Sequence, residues 1–185
     1  MQPGRREALI LMAAGLAAAA AGFLLGPALL RSTRRDGAGE APAGANRALR
    51  TAAFVDLAGE LRRLSDWQGR ILLCNFWATW CAPCREEIPL LMAAHREYRP
   101  KGVEIVGIAI DNVAKVREFS SSFNISYPVL LAEAGGLDLM RELGNSAGGL
   151  PYTVVADRQG NLAYRKLGAF KGAELDAILA PLTQG

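Results

Sequence analysis

"NFWATWCAPCREEIP" (residues 75–89) is the stretch that decides the fold. Two cysteines, Cys81 and Cys84, stand two residues apart between a run of aromatics and a pair of glutamates. Such a pair is a redox dithiol, half of a metal site or a haem anchor, and its surroundings decide which. Upstream, "RILLCNFW" (70–77) is a continuous apolar run, the pattern of a strand buried on both faces. Downstream, Ile88, Leu91, Met92, His95 and Tyr98 recur at helical spacing. Pro83 falls where a first-turn proline is tolerated, and Glu86 and Glu87 suit the positive end of a helix dipole. Pro89, inside the helix, is expected to kink it. The cysteine pair therefore lies on a strand-to-helix turn.

The chain holds three cysteines and one histidine. A structural zinc site normally takes four Cys or His ligands. The other candidates here, Cys74 in mid-strand and His95 about three turns down the helix, are badly placed. Cys74 reads as a core filler and His95 as an ordinary helix residue. A c-type haem site needs a histidine directly after the second cysteine, and position 85 is arginine. A dithiol remains. A cysteine opening a helix faces unpaired backbone N–H groups and the positive dipole end, which favour thiolate over thiol. Cys81, first and nearer the surface, is expected to be the attacking sulfur. Cys84, one turn on, is expected to resolve. A static structural disulfide is the competing reading, which the strand-to-helix position disfavours.

Outward from the motif, "FVDLAGELRRL" (54–64) reads as a short hairpin around Ala58-Gly59. "VEIVGIAI" (103–110) is a second buried strand, "NVAKVREFSSSF" (112–123) a helix and "YPVLL" (127–131) a short strand. "LDLMREL" (137–143) is a helix followed by a "GNSAGG" loop. "YTVVA" (152–156) and "LAYRKL" (162–167) form a hairpin, and "AELDAILAPL" (173–182) a closing helix. Alternating strands and helices, then a hairpin and a helix, imply an α/β sandwich with a mixed sheet.

Ahead of this domain lies an uncharged apolar run, "ALILMAAGLAAAAAGFLLGPALL" (8–30). Its 23 residues, at roughly 1.5 Å each, are long enough to cross a hydrocarbon core about 30 Å thick. A cleaved signal peptide ending near "AAAAAG" is the other reading, but it would leave "FLLGPALL" exposed, so an uncleaved anchor is preferred. Arginines flank both ends and do not orient the run. Residues 31–51 are small, Gly/Ala/Pro-rich and read as a flexible linker. The organisation is thus 1–30 membrane anchor or signal, 31–51 linker, 52–185 globular domain. The net charge of +3 resides in the first 35 residues, with five arginines and one glutamate. Residues 36–185 hold 16 basic and 17 acidic side chains, so the domain lacks the basic excess of a nucleic-acid binder.

These residues together resemble the thioredoxin superfamily, and most of all the membrane-anchored TlpA/ResA-type thiol-disulfide oxidoreductases. Three stretches carry the resemblance over roughly residues 52–183: "RLSDWQGRILLCNFWATWCAPC", "GVEIVGIAID" and "GGLPYTVVADRQG". It implies a three-layer sandwich with a central mixed sheet flanked by helices. It implies that Cys81 is the nucleophile and Cys84 the resolving cysteine of a redox-active disulfide. Trp80 matches the tryptophan that flanks the site, and Pro151 a cis-proline that packs opposite the dithiol. Leu150 before it would offer its backbone to an incoming peptide. Glu87 matches an acidic residue placed near the buried thiol, a proton-transfer candidate whose alternative is a solvated first-turn carboxylate. Two positions depart from ordinary thioredoxins. Asn75 replaces a buried aspartate, as TlpA/ResA-like proteins often have it. Tyr152 stands where a small hydroxyl residue is commoner, which bears on substrate preference.

The resemblance implies a periplasmic domain held to a bacterial inner membrane by residues 8–30. It would work without cofactor or metal, reducing disulfides of proteins such as apocytochrome c or copper-site proteins. A membrane thiol-transfer protein would recharge it. Ala82-Pro83 lacks the histidine found between the cysteines of strong oxidants, which leans toward reduction. A copper-delivery module on the same fold is the alternative. It would want a wider cysteine spacing and a third soft or imidazole ligand.

Overall fold

The structure, a computed structural model, describes residues 41–184. The apolar run 8–30 and the linker up to residue 40 lie outside the described residues. Among the described residues no helix is long and apolar enough to cross a membrane.

Among the described residues seven strands form one sheet: β1 (Ala53–Asp56), β2 (Leu61–Arg63), β3 (Ile71–Trp77), β4 (Val103–Ala109), β5 (Val129–Leu131), β6 (Tyr152–Ala156) and β7 (Leu162–Leu167). Their order is β2-β1-β5-β4-β3-β6-β7. β3, β4 and β5 run parallel; the hairpin β1–β2 and the hairpin β6–β7 pair antiparallel at either side. Every residue of β3 and β4 is buried, as their unbroken apolar runs require of central strands covered on both faces.

Among the described residues five α-helices complete the layers: α1 (Ala45–Thr51), α2 (Ala82–Tyr98), α3 (Val113–Ser122), α4 (Glu133–Glu142) and α5 (Glu174–Thr183). The period-2 alternation of the strands sorts the core. Ile71, Leu73 and Trp77 of β3 face α2, α3 and α5, together with Ile88, Leu91, Val116, Leu175 and Leu179. Leu72, Cys74 and Phe76 face the other way, toward Ala45, Ala48 and Leu49 of α1 and Leu139 and Met140 of α4. This is the expected three-layer α/β sandwich.

Two stretches differ from the sequence reading. Residues 45–51, expected within the flexible linker, form α1 and are part of the domain. Their few apolar side chains suffice because alanine lets the helix lie close to the sheet: Ala45 and Leu49 are essentially buried. Asn46 then ties the helix to the start of β7, accepting from Leu162 N at 2.9 Å and donating to Asn161 Oδ1 at 3.2 Å. The helix expected at 137–143 starts four residues earlier, through Gly135-Gly136. Glycine disfavours helix locally, but at Gly136 a Cβ would lie 2.9 Å from Ala132 Cβ and 3.0 Å from Ile110 Cγ1. Close approach to the end of β4 outweighs propensity there.

Gly107, in mid-β4, has a related role against the Trp77 and Tyr127 rings. It pairs with Asn75 across the ladder, and an added Cβ would stand 2.9 Å from Trp77 Nε1 and 3.0 Å from Tyr127 Cε2. Gly107→Ala should therefore destabilise the domain by about 1–3 kcal/mol through overpacking. Urea unfolding checks this; an unchanged midpoint would show that the Trp77 and Tyr127 rings yield freely.

His95 is more than an ordinary helix residue. It is buried, with Nε2 2.8 Å from Oε1 of Glu104, a buried carboxylate inside β4 that Arg70 and Arg99 also approach at 3.5 and 3.8 Å. The cluster lies at the start of β4, the end of the sheet away from the cysteine pair. It satisfies a charge that the apolar pattern of the strand concealed.

Candidate active site

β3 ends at Trp77, and the chain turns through Ala78–Trp80 into α2. Asp111, just past β4, holds this turn. Its Oδ2 accepts from Thr79 N at 3.1 Å and from the Thr79 hydroxyl, and its Oδ1 from Asn112 N at 2.7 Å. Partial burial works to raise the Asp111 pKa, but these hydrogen bonds outweigh it and hold the carboxyl below its usual range. Cys81 N closes the turn on Ala78 O at 3.2 Å.

Cys81 is the N-cap of α2. Its sulfur accepts the backbone N–H of Cys84 at 3.3 Å, one of the donors that a helix start leaves unpaired. Cys81 and Cys84 are joined in a disulfide with their Cα atoms 5.3 Å apart. Cys81 keeps 6% of its surface exposed and Cys84 none, so an outside reagent reaches Cys81 first. Pro83 follows in the first turn, and the helix runs on through Pro89 to Tyr98.

Glu87, one turn beyond Cys84, is buried at 2% exposure, so it is not the solvated carboxylate of the competing reading. Asn75 Nδ2 donates to its Oε1 at 2.6 Å, and Phe170 N donates to its Oε2 at 2.9 Å. Asn75 Nδ2 also lies 3.0 Å from Thr153 Oγ1. Burial pushes the Glu87 carboxyl up to about 7, against the N–H of Phe170, the amide of Asn75 and the charge of Lys166, which all pull it down. A carboxyl poised near neutrality one turn from Cys84 can both take and return a proton.

The remaining residues singled out from sequence fall around this centre. Trp80, 66% exposed, stands at the rim. The Leu150–Pro151 bond is cis, and Pro151 immediately precedes β6, whose Tyr152 pairs with Phe76. Pro151 thus lies at the end of the sheet from which the dithiol turn departs, and Leu150 packs on the cluster that contains both cysteines. Tyr152 does not face the dithiol. It points into the opposite layer, where its hydroxyl donates to Leu143 O at 2.6 Å, so it cannot bear on substrate choice directly. Cys74 also lies in that opposite layer, and burial pushes its thiol up to about 12, which leaves it unreactive.

Four contributors escaped the sequence reading: Asp111, Thr153, Lys166 and Phe170. Asp111 carried a usable signal, an aspartate directly after an apolar strand. Thr153 and Lys166 depend on register, since Asn75, Thr153 and Lys166 are successive partners across β3, β6 and β7, and Phe170 depends on the path of the loop after β7.

Comparison with known proteins follows the same lines. The Redoxin family matches residues 39–179. The thiol-disulfide oxidoreductase ResA of Bacillus thuringiensis (strain Al Hakam) is 30% identical over 130 residues, covering 70% of this chain and 73% of that protein. The crystal structure of a thiol:disulfide interchange protein of the thioredoxin family from Chlorobium tepidum TLS superposes with a TM-score of 0.63 at 28% identity, covering 72% of this chain and 94% of that one. A secreted thiol-disulfide isomerase from Corynebacterium glutamicum shares the fold, with a TM-score of 0.68 at 24% identity over 74% of this chain and 86% of that one.

Proposed function

Because the chain belongs to the redoxin family, as a TlpA/ResA-like thiol-disulfide oxidoreductase of the thioredoxin superfamily, we propose that its Cys81/Cys84 dithiol reduces disulfides in proteins outside the cytoplasm. The observation that carries this reading is the placing of Cys81 Sγ on the N–H of Cys84 at the helix start, with Glu87 buried one turn beyond. A donor on the sulfur and the dipole of α2 stabilise the Cys81 thiolate.

In the reduced protein, the Cys81 thiolate attacks one sulfur of a substrate disulfide. That S–S bond breaks, a mixed disulfide forms through Cys81, and the substrate's other sulfur leaves as a thiolate that takes up a proton. Cys84 then gives its proton to the Glu87 carboxylate and attacks Cys81 Sγ. The Cys81–Cys84 bond closes, and the second substrate sulfur departs as a thiolate that takes up the proton held by Glu87. The substrate gains two electrons and two protons; the protein dithiol supplies the electrons and becomes the disulfide. Trp80 at the rim and Leu150 with Pro151 would receive the substrate chain.

A membrane thiol-transfer reductant would return the pair to the dithiol. The absence of histidine at Ala82-Pro83 supports the reducing direction. Apocytochrome c or copper-site proteins fit as substrates, and residues 8–30 as the single-pass anchor of a periplasmic domain. Disulfide traffic itself favours a compartment outside the cytoplasm, and one relative of the same fold is described as secreted. Cells expressing the full chain should be quenched with acid, fractionated and alkylated. The protein should be found in the membrane fraction with its dithiol mostly reduced. A mostly oxidised pair would reverse the direction, and a soluble chain lacking residues 8–30 would remove the anchor.

A further inference from the structure

Lys166 is largely buried for a lysine, with 14% of its side chain exposed. A charged group so placed is expected to be paired. Its Nζ lies 3.5 Å from Glu174 Oε2 on α5, a loose contact with a carboxylate that is itself 48% exposed. The same Nζ sits over the Phe170 ring, 5.7 Å from its centre, and the backbone N–H of Phe170 is the group that binds Glu87 Oε2. Across the ladder, Lys166 is the partner of Thr153, Thr153 the partner of Asn75, and Asn75 donates to both Thr153 and Glu87. One polar row therefore runs under α2 from Asn75 to Lys166, with Glu87 above it and Glu174 at its outer end.

Resting on the oxidoreductase reading, we infer that Lys166 is a positioning residue of the dithiol site: its ammonium is shared between surface Glu174 and buried Glu87, and keeps the Glu87 carboxylate available as the base for Cys84. The groups that meet Glu87 are otherwise uncharged. β3 contributes the amide of Asn75, with the Thr153 hydroxyl of β6 behind it, and the loop after β7 contributes the Phe170 N–H. Tyr127, ahead of β5, is a buried phenol whose own ionisation is suppressed by burial and by Glu87. On α2 itself, Cys84 is held in the disulfide. Lys166 is the cation among these groups, and its charge draws Glu87 down while burial draws it up. Without it, only the Phe170 N–H and the Asn75 amide would oppose burial, and less of the Glu87 carboxyl would stand ionised at neutral pH to take the Cys84 proton.

The test is a carboxyl titration of the oxidised full-length protein, labelled with carbon-13 glutamate and followed by NMR. Glu87 should titrate near pH 7 in the wild type. K166M should move its midpoint up by about one pH unit, the low end of the effect of a nearby opposite charge. K166R should restore it. E174Q should move the midpoint down in the wild-type background and by less in K166M, since part of that effect passes through the shared ammonium. If K166M does not fold, K166Q, which keeps a polar head, replaces it. A Glu87 midpoint unchanged in the folded Lys166 variants, or an E174Q shift of equal size in both backgrounds, overturns the inference. The titration needs no substrate, so it stands or falls apart from the oxidoreductase reading. That reading fails instead if wild-type protein with normal Glu87 titration reduces no disulfide.

Discussion

Cys81→Ser is expected to abolish disulfide reduction, whereas Cys84→Ser is expected to complete half a turnover and stop as a mixed disulfide through Cys81. The asymmetry follows from position. Cys81 caps α2, receives the Cys84 N–H at 3.3 Å and retains some exposure; Cys84 lies one turn inside with none. Serine at 81 leaves a hydroxyl that the same hydrogen bond cannot turn into an effective nucleophile at neutral pH, and the sulfur that remains is out of reach of a protein substrate. Serine at 84 leaves the attack intact but removes the thiol that must expel the substrate. Mass spectrometry after mixing the reduced variants with a disulfide substrate reads both outcomes. A mixed disulfide through Cys84 in the Cys81→Ser protein, or faster alkylation of Cys84 than of Cys81 in the reduced wild type, would falsify the assignment of roles.

Glu87→Gln should have two separable effects. In stopped-flow traces, release of the mixed disulfide should slow by about 100-fold, the low end of what a positioned base contributes, with formation little changed. Equal loss in both phases, or none, removes Glu87 from the mechanism. The second effect is on stability and needs no substrate. The carboxyl titrates near 4.5 when unfolded and about 7 when folded. Between those values the folded state binds more protons than the unfolded state, so stability falls as pH rises. The stabilisation is full below about pH 4.5 and is lost by passage through pH 7, of order 3 kcal/mol in all for a shift of this size. Asp56, Asp111 and Glu174 carry the opposite sign, because their folded pKa values are lowered. Their contribution is lost only as pH falls below the ordinary carboxylate range, so the two windows separate. Urea midpoints of the oxidised wild type should therefore drop between pH 5 and pH 7.5, and those of Glu87→Gln should stay level. Glutamine can still accept from Phe170 N, and Asn75 can turn its amide to meet the new donor, so the variant should fold. A wild type whose midpoint is flat across that window would show that Glu87 is not held protonated by burial.

Much of the fold was written in local patterns. The unbroken apolar runs at 70–77 and 103–110 specified central strands, and both are wholly buried. Cysteine spacing, first-turn Pro83 and the apolar face down to Tyr98 specified the turn and α2, and "YTVVA…LAYRKL" specified the closing hairpin at its observed limits. Each of these is a property of one segment: a period, a cap or a breaker acts over a few residues. The place of Cys81 as the helix cap, less buried than Cys84, was legible for the same reason, since cysteine spacing and first-turn proline act locally.

What the tertiary structure alone decided is which segments meet. Glu87 is a near-neutral acid because the packed domain buries it, while Asn75 beneath it and the N–H of Phe170, 83 positions along the chain, hold the rise back. Lys166 reaches the site because two ladders place it in one row with Thr153 and Asn75. Asp111 steadies the dithiol turn from the neighbouring strand, and α1 joins the domain because the outer face of β3 and β6 was left for it to cover. Residue periodicity states which face of an element is apolar but not which other face will cover it. A carboxylate's proton affinity depends on that covering, on the water it excludes and the few donors it leaves behind.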